Sequence, residues 1–110
     1  MAAVSNLAID QGTTYSVTIT VTDDTGSARN LTNYTPRAQM RRSYYTSANT
    51  AFTASVASPT DGTITLNLTA TQTSALKAGR YVYDLELVSN TATVERIVEG
   101  IVTIYPEATK

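Results

Sequence analysis

Two pairs of acidic residues are the first candidates for chemistry in this sequence. Asp84 and Glu86 lie two positions apart, so a strand would place both carboxylates on one face. Paired carboxylates perform the acid and base steps of glycoside hydrolysis. Asp23 and Asp24 are adjacent, and clustered carboxylates bind Ca²⁺. No other element supplies a partner acid for Asp84 and Glu86, or a spaced array of ligands around Asp23 and Asp24. We therefore expect the former pair to be structural and the latter pair to lie at a solvated hairpin tip.

The sequence contains one cluster of basic and aromatic residues: Arg37, Arg41, Arg42, Tyr44 and Tyr45. Proteins that bind single-stranded nucleic acid combine basic grooves with stacking aromatics, so this cluster is a candidate site. The alternative is structural: if the two strands are neighbours, Arg37 and Arg41 face Asp84 and Glu86. Such cross-strand pairs stabilise a sheet by about 0.2–1 kcal/mol each. We favour the ion pairs, because three arginines in a net acidic chain attract nucleic acid only weakly.

The composition excludes several classes of site. The chain has 110 residues, a net charge of −1, and neither cysteine nor histidine. Common zinc sites, thiol nucleophiles and imidazole bases are therefore excluded. No segment approaches the roughly 18 apolar residues of a membrane helix, and residues 1–10 do not resemble a signal peptide. We expect a protein that is not an enzyme, holds no cofactor, and contacts neither nucleic acid nor membrane.

Short segments of alternating polarity predict strands. The clearest covers residues 13–22, in which Tyr15, Val17, Ile19 and Val21 share one face; it ends at a turn where Gly26 can adopt positive φ. Further strands are predicted around residues 37–42, 52–56, 64–68, 81–88 and 93–105. A single helical turn is predicted over residues 71–77, with Leu76 as its anchor and Gly79 closing it.

These elements predict an all-β fold, an immunoglobulin-like β-sandwich of about seven antiparallel strands. We expect one domain over residues 1–110, with residues 106–110 as a short tail. Residues 76–83 place Tyr81 just after a tight corner, with Tyr83 where antibody domains carry a cysteine. This spacing is typical of a tyrosine corner. The alternative is that Tyr81 is simply a core aromatic.

The last predicted strand has aliphatic residues on both faces. The residues on one face are predicted to lie in the core: Val94, Val98, Val102 and Ile104. Ile97 and Ile101 lie on the opposite face, which predicts cover by a loop, a neighbouring subunit or another protein. A bulge near Gly100 that buries Ile97 is the alternative. Tyr105 and the tail could extend such a contact, and Tyr44 and Tyr45 are further candidate interface residues.

Four segments carry a resemblance to a known family: residues 7–22, beginning LAIDQG; residues 30–41, NLTNYTPRAQMR; residues 76–87, containing AGRYVYDL; and residues 99–109, EGIVTIYPEAT. Read together, they resemble small immunoglobulin-like virion structural proteins of tailed bacteriophages. Related domains are found at the N-terminus of baseplate upper proteins and as decorations of capsids and tails. The chain departs from the pattern at Asn33, where the group often has glycine.

The resemblance implies a non-catalytic structural protein of a tailed-phage virion, located in the baseplate, the tail or the capsid surface. Its implied partners are other virion proteins or further copies of the same chain. A carbohydrate-binding or host-adhesion module is the alternative, because sugar platforms use exposed aromatics. Tyr44, Tyr45 and Tyr105 are the residues that could form one.

Overall fold

The computed structural model describes residues 3–23, 25–43 and 45–108. Within these ranges it contains nine strands and one helix. Their bounds are β1 Ala3–Val4, β2 Leu7–Asp10, β3 Tyr15–Thr20, β4 Tyr34–Arg41, β5 Thr50–Ala51, β6 Thr53–Ser58, β7 Thr63–Leu68, α1 Ala70–Ser74, β8 Gly79–Ser89 and β9 Val94–Tyr105. No helix in these ranges has the length and apolar character needed to cross a membrane.

The strands form two sheets packed face to face, which confirms the expected immunoglobulin-like β-sandwich. The larger sheet has the order β1-β9-β8-β4-β5, with β2 also pairing with β9. The smaller sheet has the order β3-β7-β6. The strands are more numerous than expected, and they are not all antiparallel. β1 and β2 run parallel to β9, because the start of the chain lies along its last strand.

The core lies between the inner faces of the two sheets. β7 contributes Ile64, Leu66 and Leu68, all nearly inaccessible to solvent, as the alternation in the sequence predicts. The inward side chains of β8 and the predicted pair Ala38 and Met40 of β4 are also buried. On β3, however, Tyr15, Val17 and Ile19 are only half-buried. The reason is that β3 forms the outer edge of its sheet and, within the described ranges, pairs with β7 alone.

The helix begins at a capping box and is shorter than predicted. The Thr69 hydroxyl accepts a hydrogen bond from the Gln72 N–H at 3.2 Å, and the Gln72 side chain accepts one from the Thr69 N–H at 2.8 Å. The helix ends at Ser74, with Ala75 as its C-cap, so the expected closure by Gly79 is wrong. Gly79 is instead the first residue of β8. Leu76 is buried and anchors the segment, as expected.

The corner before β8 is the predicted tyrosine corner. The Tyr81 hydroxyl donates to the carbonyl of Lys77 at 2.9 Å, four residues earlier. Tyr83 is 1% exposed and packs edge-on against Phe52. Its hydroxyl donates to the carbonyl of Ser5 at 2.5 Å, which ties the start of the chain to the centre of the larger sheet.

A bulge in β9 changes the parity of its first residues. Leu85 pairs with Val98 and Glu86 with Arg96, so Ile97 is an extra residue in the ladder. Ile97 is consequently buried at 9% exposure beside Val98, and it is not available as an interface residue. Val94 is turned outward and is 47% exposed, so its predicted core position is wrong. Of the two interpretations of Ile97, the structure shows the one in which a bulge buries it. The bulge lies at Ile97 itself rather than near Gly100.

Candidate interaction surface

The outer face of the larger sheet carries several of the predicted site residues. Alternation along β4, β8 and β9 turns one set of side chains into the core and the other away from it. The outward set contains a band of charged residues and, toward β1, several exposed apolar residues. This charged band consists of Arg37, Asp84, Glu86, Arg96 and Glu99.

Ion pairs cross the charged band from β4 to β9. The Arg37 Nε lies 2.8 Å from the Glu86 Oε1, and the two residues are direct partners in the β4–β8 ladder. This is the cross-strand pair proposed for them from the sequence. The Arg96 guanidinium lies 3.3 Å from both the Asp84 Oδ2 and the Glu99 Oε2. The two carboxylates of β8 are therefore each paired with an arginine from a neighbouring strand.

Arg41 does not pair with Asp84, contrary to expectation. The ladder places Val82 opposite Arg41 and Gln39 opposite Asp84. The Arg41 Nη1 instead donates to the carbonyls of Thr46 and Ser47, at 2.7 and 2.8 Å. The residue therefore holds the loop between β4 and β5 against the sheet. The role expected of Arg41 falls to Arg96, whose position depends on the bulge.

The environment of Asp84 disfavours its ionised form. Burial raises the pKa of Asp84 above its ordinary value, and the nearby Glu86 carboxylate raises it further, while Arg96 and Arg41 oppose the shift. A carboxyl with a raised pKa can act as an acid when a substrate reaches it. Here the carboxylates of Asp84 and Glu86 are both occupied by arginine side chains of the protein. The arrangement is that of an ion-pair ladder.

The remaining residues of the basic and aromatic cluster are Arg42, Tyr44 and Tyr45. The Arg42 guanidinium stacks over the Tyr81 ring, 4.5 Å from its centroid, and donates to the carbonyls of Ala78 and Arg80. Arg42 thus reinforces the tyrosine corner. Tyr45 is 99% exposed in the loop after β4. Tyr44 lies outside the described residues.

Asp23, from the adjacent acidic pair Asp23 and Asp24, lies in a turn and forms hydrogen bonds within it. The Asp23 Oδ1 accepts hydrogen bonds from the N–H and hydroxyl of Thr25, at 2.9 and 2.7 Å, and from the N–H of Ser27 at 3.1 Å. These bonds lower the pKa of Asp23. Gly26 adopts a φ of +84°, as the turn predicts. Asp24 lies outside the described residues, and those described contain no cluster of three potential metal ligands.

Exposed apolar side chains lie at the β1 side of the outer face. We call this set the apolar strip: Val4 is 73% exposed, Ile101 41% and Tyr105 51%. Ile101 and Tyr105 share the outward parity of β9, and Val4 pairs with Glu99 on the adjacent β1. Val82, half-buried, lies directly opposite Ile101 on β8. Two of the predicted interface residues therefore lie on one exposed surface.

An ion pair that the sequence does not signal joins the two sides of the sandwich. The Arg29 guanidinium donates to both carboxylate oxygens of Glu95, at 2.7 and 2.9 Å, and lies over the Tyr34 ring. The pair lines an open cleft of about 500 Å³ between the ends of β3 and β9. Arg29 and Glu95 are 66 positions apart, so no local pattern relates them.

We predict opposite effects of neutralising Glu95 and Asp84. Pairing with Arg29 lowers the pKa of Glu95, so its carboxylate stabilises the fold above pH 4.5, and this stabilisation is lost as the pH falls through the lowered value. The raised pKa of Asp84 means that its ionised form opposes folding at neutral pH. At pH 7, Glu95→Gln should lower the free energy of unfolding and Asp84→Asn should raise it, each by less than about 1 kcal/mol.

Urea unfolding at pH 7 and pH 3 measures both changes. Both differences from the parent should be smaller at pH 3 than at pH 7, because protonation of the carboxyls progressively removes the charges that cause them. A change of the same sign for the two variants at pH 7 would contradict the prediction.

Comparison with known proteins identifies no family. No protein-family model and no curated protein matches the chain. Among solved structures it is similar to an internalin-like protein of Listeria monocytogenes, with 14% identity and a TM-score of 0.48. The likeness covers 94% of this chain and 28% of that protein. The chain thus spans less than a third of that protein's length.

Proposed function

We propose that this chain is a structural protein of a tailed-phage virion, in the baseplate, the tail or the capsid surface. It acts through protein–protein contacts and catalyses no reaction. The observation that carries the protein-contact role is the apolar strip of Val4, Ile101 and Tyr105 on the outer face of the larger sheet. The virion itself is proposed from the resemblance of residues 7–22, 30–41, 76–87 and 99–109 to small immunoglobulin-like virion proteins.

The architecture suits a rigid connector. Exposed apolar side chains that lie close together are typical of sites that contact other proteins, and here Val4 and Ile101 lie on adjacent regular strands, where their positions are held. The neighbouring charged band is polar and can form the rim of such a contact. Val4 and Ile101 occupy adjacent strands of the same face, so one partner surface can cover both.

Mass spectrometry of purified virions tests this proposal directly. The chain should be present in particles of the phage that encodes it. Absence from the particles, while infected cells contain the protein, would overturn the proposal.

A charged substitution in the apolar strip tests the surface. Ile101→Asp should leave the fold intact, because the side chain is already exposed, and should reduce incorporation into particles when it replaces the native protein. Ser55→Asp, on the outer face of the smaller sheet, is the matched control and should be incorporated normally. Equal incorporation of both variants would exclude the apolar strip as the contact.

One observation favours the alternative of carbohydrate binding or host adhesion. The Tyr45 side chain is almost completely exposed, as an aromatic that stacks on a sugar must be. Binding to a glycan array that is abolished by Tyr45→Ala, together with absence from virions, would favour this alternative over the first proposal.

A further inference from the structure

The smaller sheet ends in an edge strand, β3. Among the residues that the structure describes, β3 pairs with β7 along one side and no strand lies beyond it. In the four-stranded sheet of a constant-type immunoglobulin domain, the first strand lies at this position. Here the corresponding segments, β1 and β2, pair with β9 in the larger sheet. One strand position beside β3 is therefore vacant among the described residues.

The backbone of β3 presents hydrogen-bonding groups toward that position. Val21 donates to Gly62 on the β7 side at 2.7 Å, and antiparallel ladders alternate in direction from residue to residue. The N–H and C=O groups of Ser16, Thr18 and Thr20 therefore point away from β7. No described residue forms a backbone hydrogen bond with them.

β3 also lacks the features by which proteins protect such edges. Residues 13–22 contain no charge and no proline, and β3 has no bulge. The opposite edge, β6, has a register shift between Val56 and Ser58. In the larger sheet, β1 and β5 have two residues each. β3 is thus the longest regular edge in the described structure.

The inner side of this edge is incompletely covered. Tyr15, Val17 and Ile19 pack against the core but remain half-buried, in contrast to their neighbours on β7. A strand added beside β3 would bring its own inward side chains next to these three. Association at this edge would therefore bury apolar surface as well as satisfy backbone groups.

We infer that β3 pairs with β3 of a second copy of this chain, antiparallel about a two-fold axis at Thr18. Such an axis keeps the inner faces of both copies on one side and makes the contact self-complementary. Ser16 would lie opposite Thr20 of the second copy, and Val17 opposite its Ile19. The pairing forms about six backbone hydrogen bonds and joins the two smaller sheets into one.

The residue chemistry favours a second copy as the occupant. The strand is uncharged throughout, so an identical strand brings no like charges together. Its alternating apolar and hydroxyl residues fall opposite their own kind under the two-fold axis. A contact between two such strands is small, so we expect weak, concentration-dependent association. This inference rests on the β3 edge alone and does not depend on the proposed virion role.

Cysteine cross-linking tests the inferred axis, because the chain has no cysteine of its own. Opposite residues of an antiparallel pair are close enough for a disulfide. Thr18→Cys should form a disulfide-linked dimer at least about tenfold faster than Ser55→Cys, because only the former residue lies at the axis. Ser55 is a matched control: both residues are exposed, and both pair with Thr65, from opposite sides of β7.

Sedimentation of the unmodified chain over a wide concentration range completes the test. The parent should shift from monomer toward dimer, whereas Thr18→Lys should remain monomeric with an unchanged thermal midpoint, and Ser55→Lys should behave as the parent. Equal cross-linking rates, or a parent that stays monomeric at millimolar concentration, would overturn the inference. The parent could also prove monomeric at every concentration while Thr18→Lys is no longer incorporated into particles. That result would mean that the β3 edge binds a different protein, and it would overturn the inference as well.

Discussion

Tyr83→Ala is expected to lower the free energy of unfolding by about 3–5 kcal/mol, the usual cost of removing a buried aromatic ring. The ring is 1% exposed and packs against Phe52 with a centroid distance of 6.1 Å, so its removal leaves a cavity between the sheets. Urea unfolding followed by circular dichroism measures the change as a lower midpoint. An unchanged midpoint would contradict the buried position.

The hydroxyl of Tyr83 can be tested separately from the ring. Tyr83→Phe keeps the packing but removes the donor to the Ser5 carbonyl, at an expected cost of about 1 kcal/mol. Hydrogen exchange should then accelerate in residues 5–10, because that bond holds the start of the chain. Tyr105→Phe is the control: its ring is half exposed, so its stability should stay within about 0.5 kcal/mol of the parent.

Gly62→Ala is the second substitution with a large expected effect. Gly62 has a φ of +68°, which costs any other residue about 1–2 kcal/mol. A Cβ at this position would also lie 2.6 Å from the Val21 carbonyl oxygen and 2.7 Å from that of Arg29. Both contacts are with backbone, which cannot rotate away. We expect a loss of about 2–5 kcal/mol, combining the conformational cost with overpacking.

Gly26→Ala separates the two contributions to that loss. Gly26 has a similar φ of +84°, but no atom lies within 4 Å of the position its Cβ would take. Its substitution should cost only the conformational term, about 1–2 kcal/mol. Thermal or urea unfolding of the two variants gives the difference. If they were equally stable, crowding at Gly62 would contribute nothing, and the prediction would be wrong.

Features that depend on local spacing could be predicted from the sequence. The alternation in β7 and β8 identifies their buried residues, because a strand directs successive side chains to opposite faces. The tyrosine corner involves residues only four positions apart, so its spacing is visible in the chain. The pair of Arg37 and Glu86 followed from placing two strands side by side, and the structure contains it.

Features that depend on register or sheet position could not be predicted. The bulge at Ile97 depends on the register between β8 and β9, in which Ile97 has no partner. It turns Val94 outward and places Arg96 beside Asp84. The partial burial of Tyr15 follows from the edge position of β3, which alternation alone does not indicate. On the candidate surface, Ile101 and Tyr105 were predicted, whereas Val4 joins them only through the parallel pairing of β1 with β9.

The pairing of β2 with β9 also constrains the order of folding. Leu7 lies beside Val102, and Ile9 beside Ile104, so the two ends of this region meet only after the whole intervening chain is available. Contacts between distant residues carry a large loop-closure entropy and slow the search for the native state. During synthesis, β2 would remain without its partner until β9 emerged from the ribosome. Closure of the sandwich would then be among the final steps of its maturation.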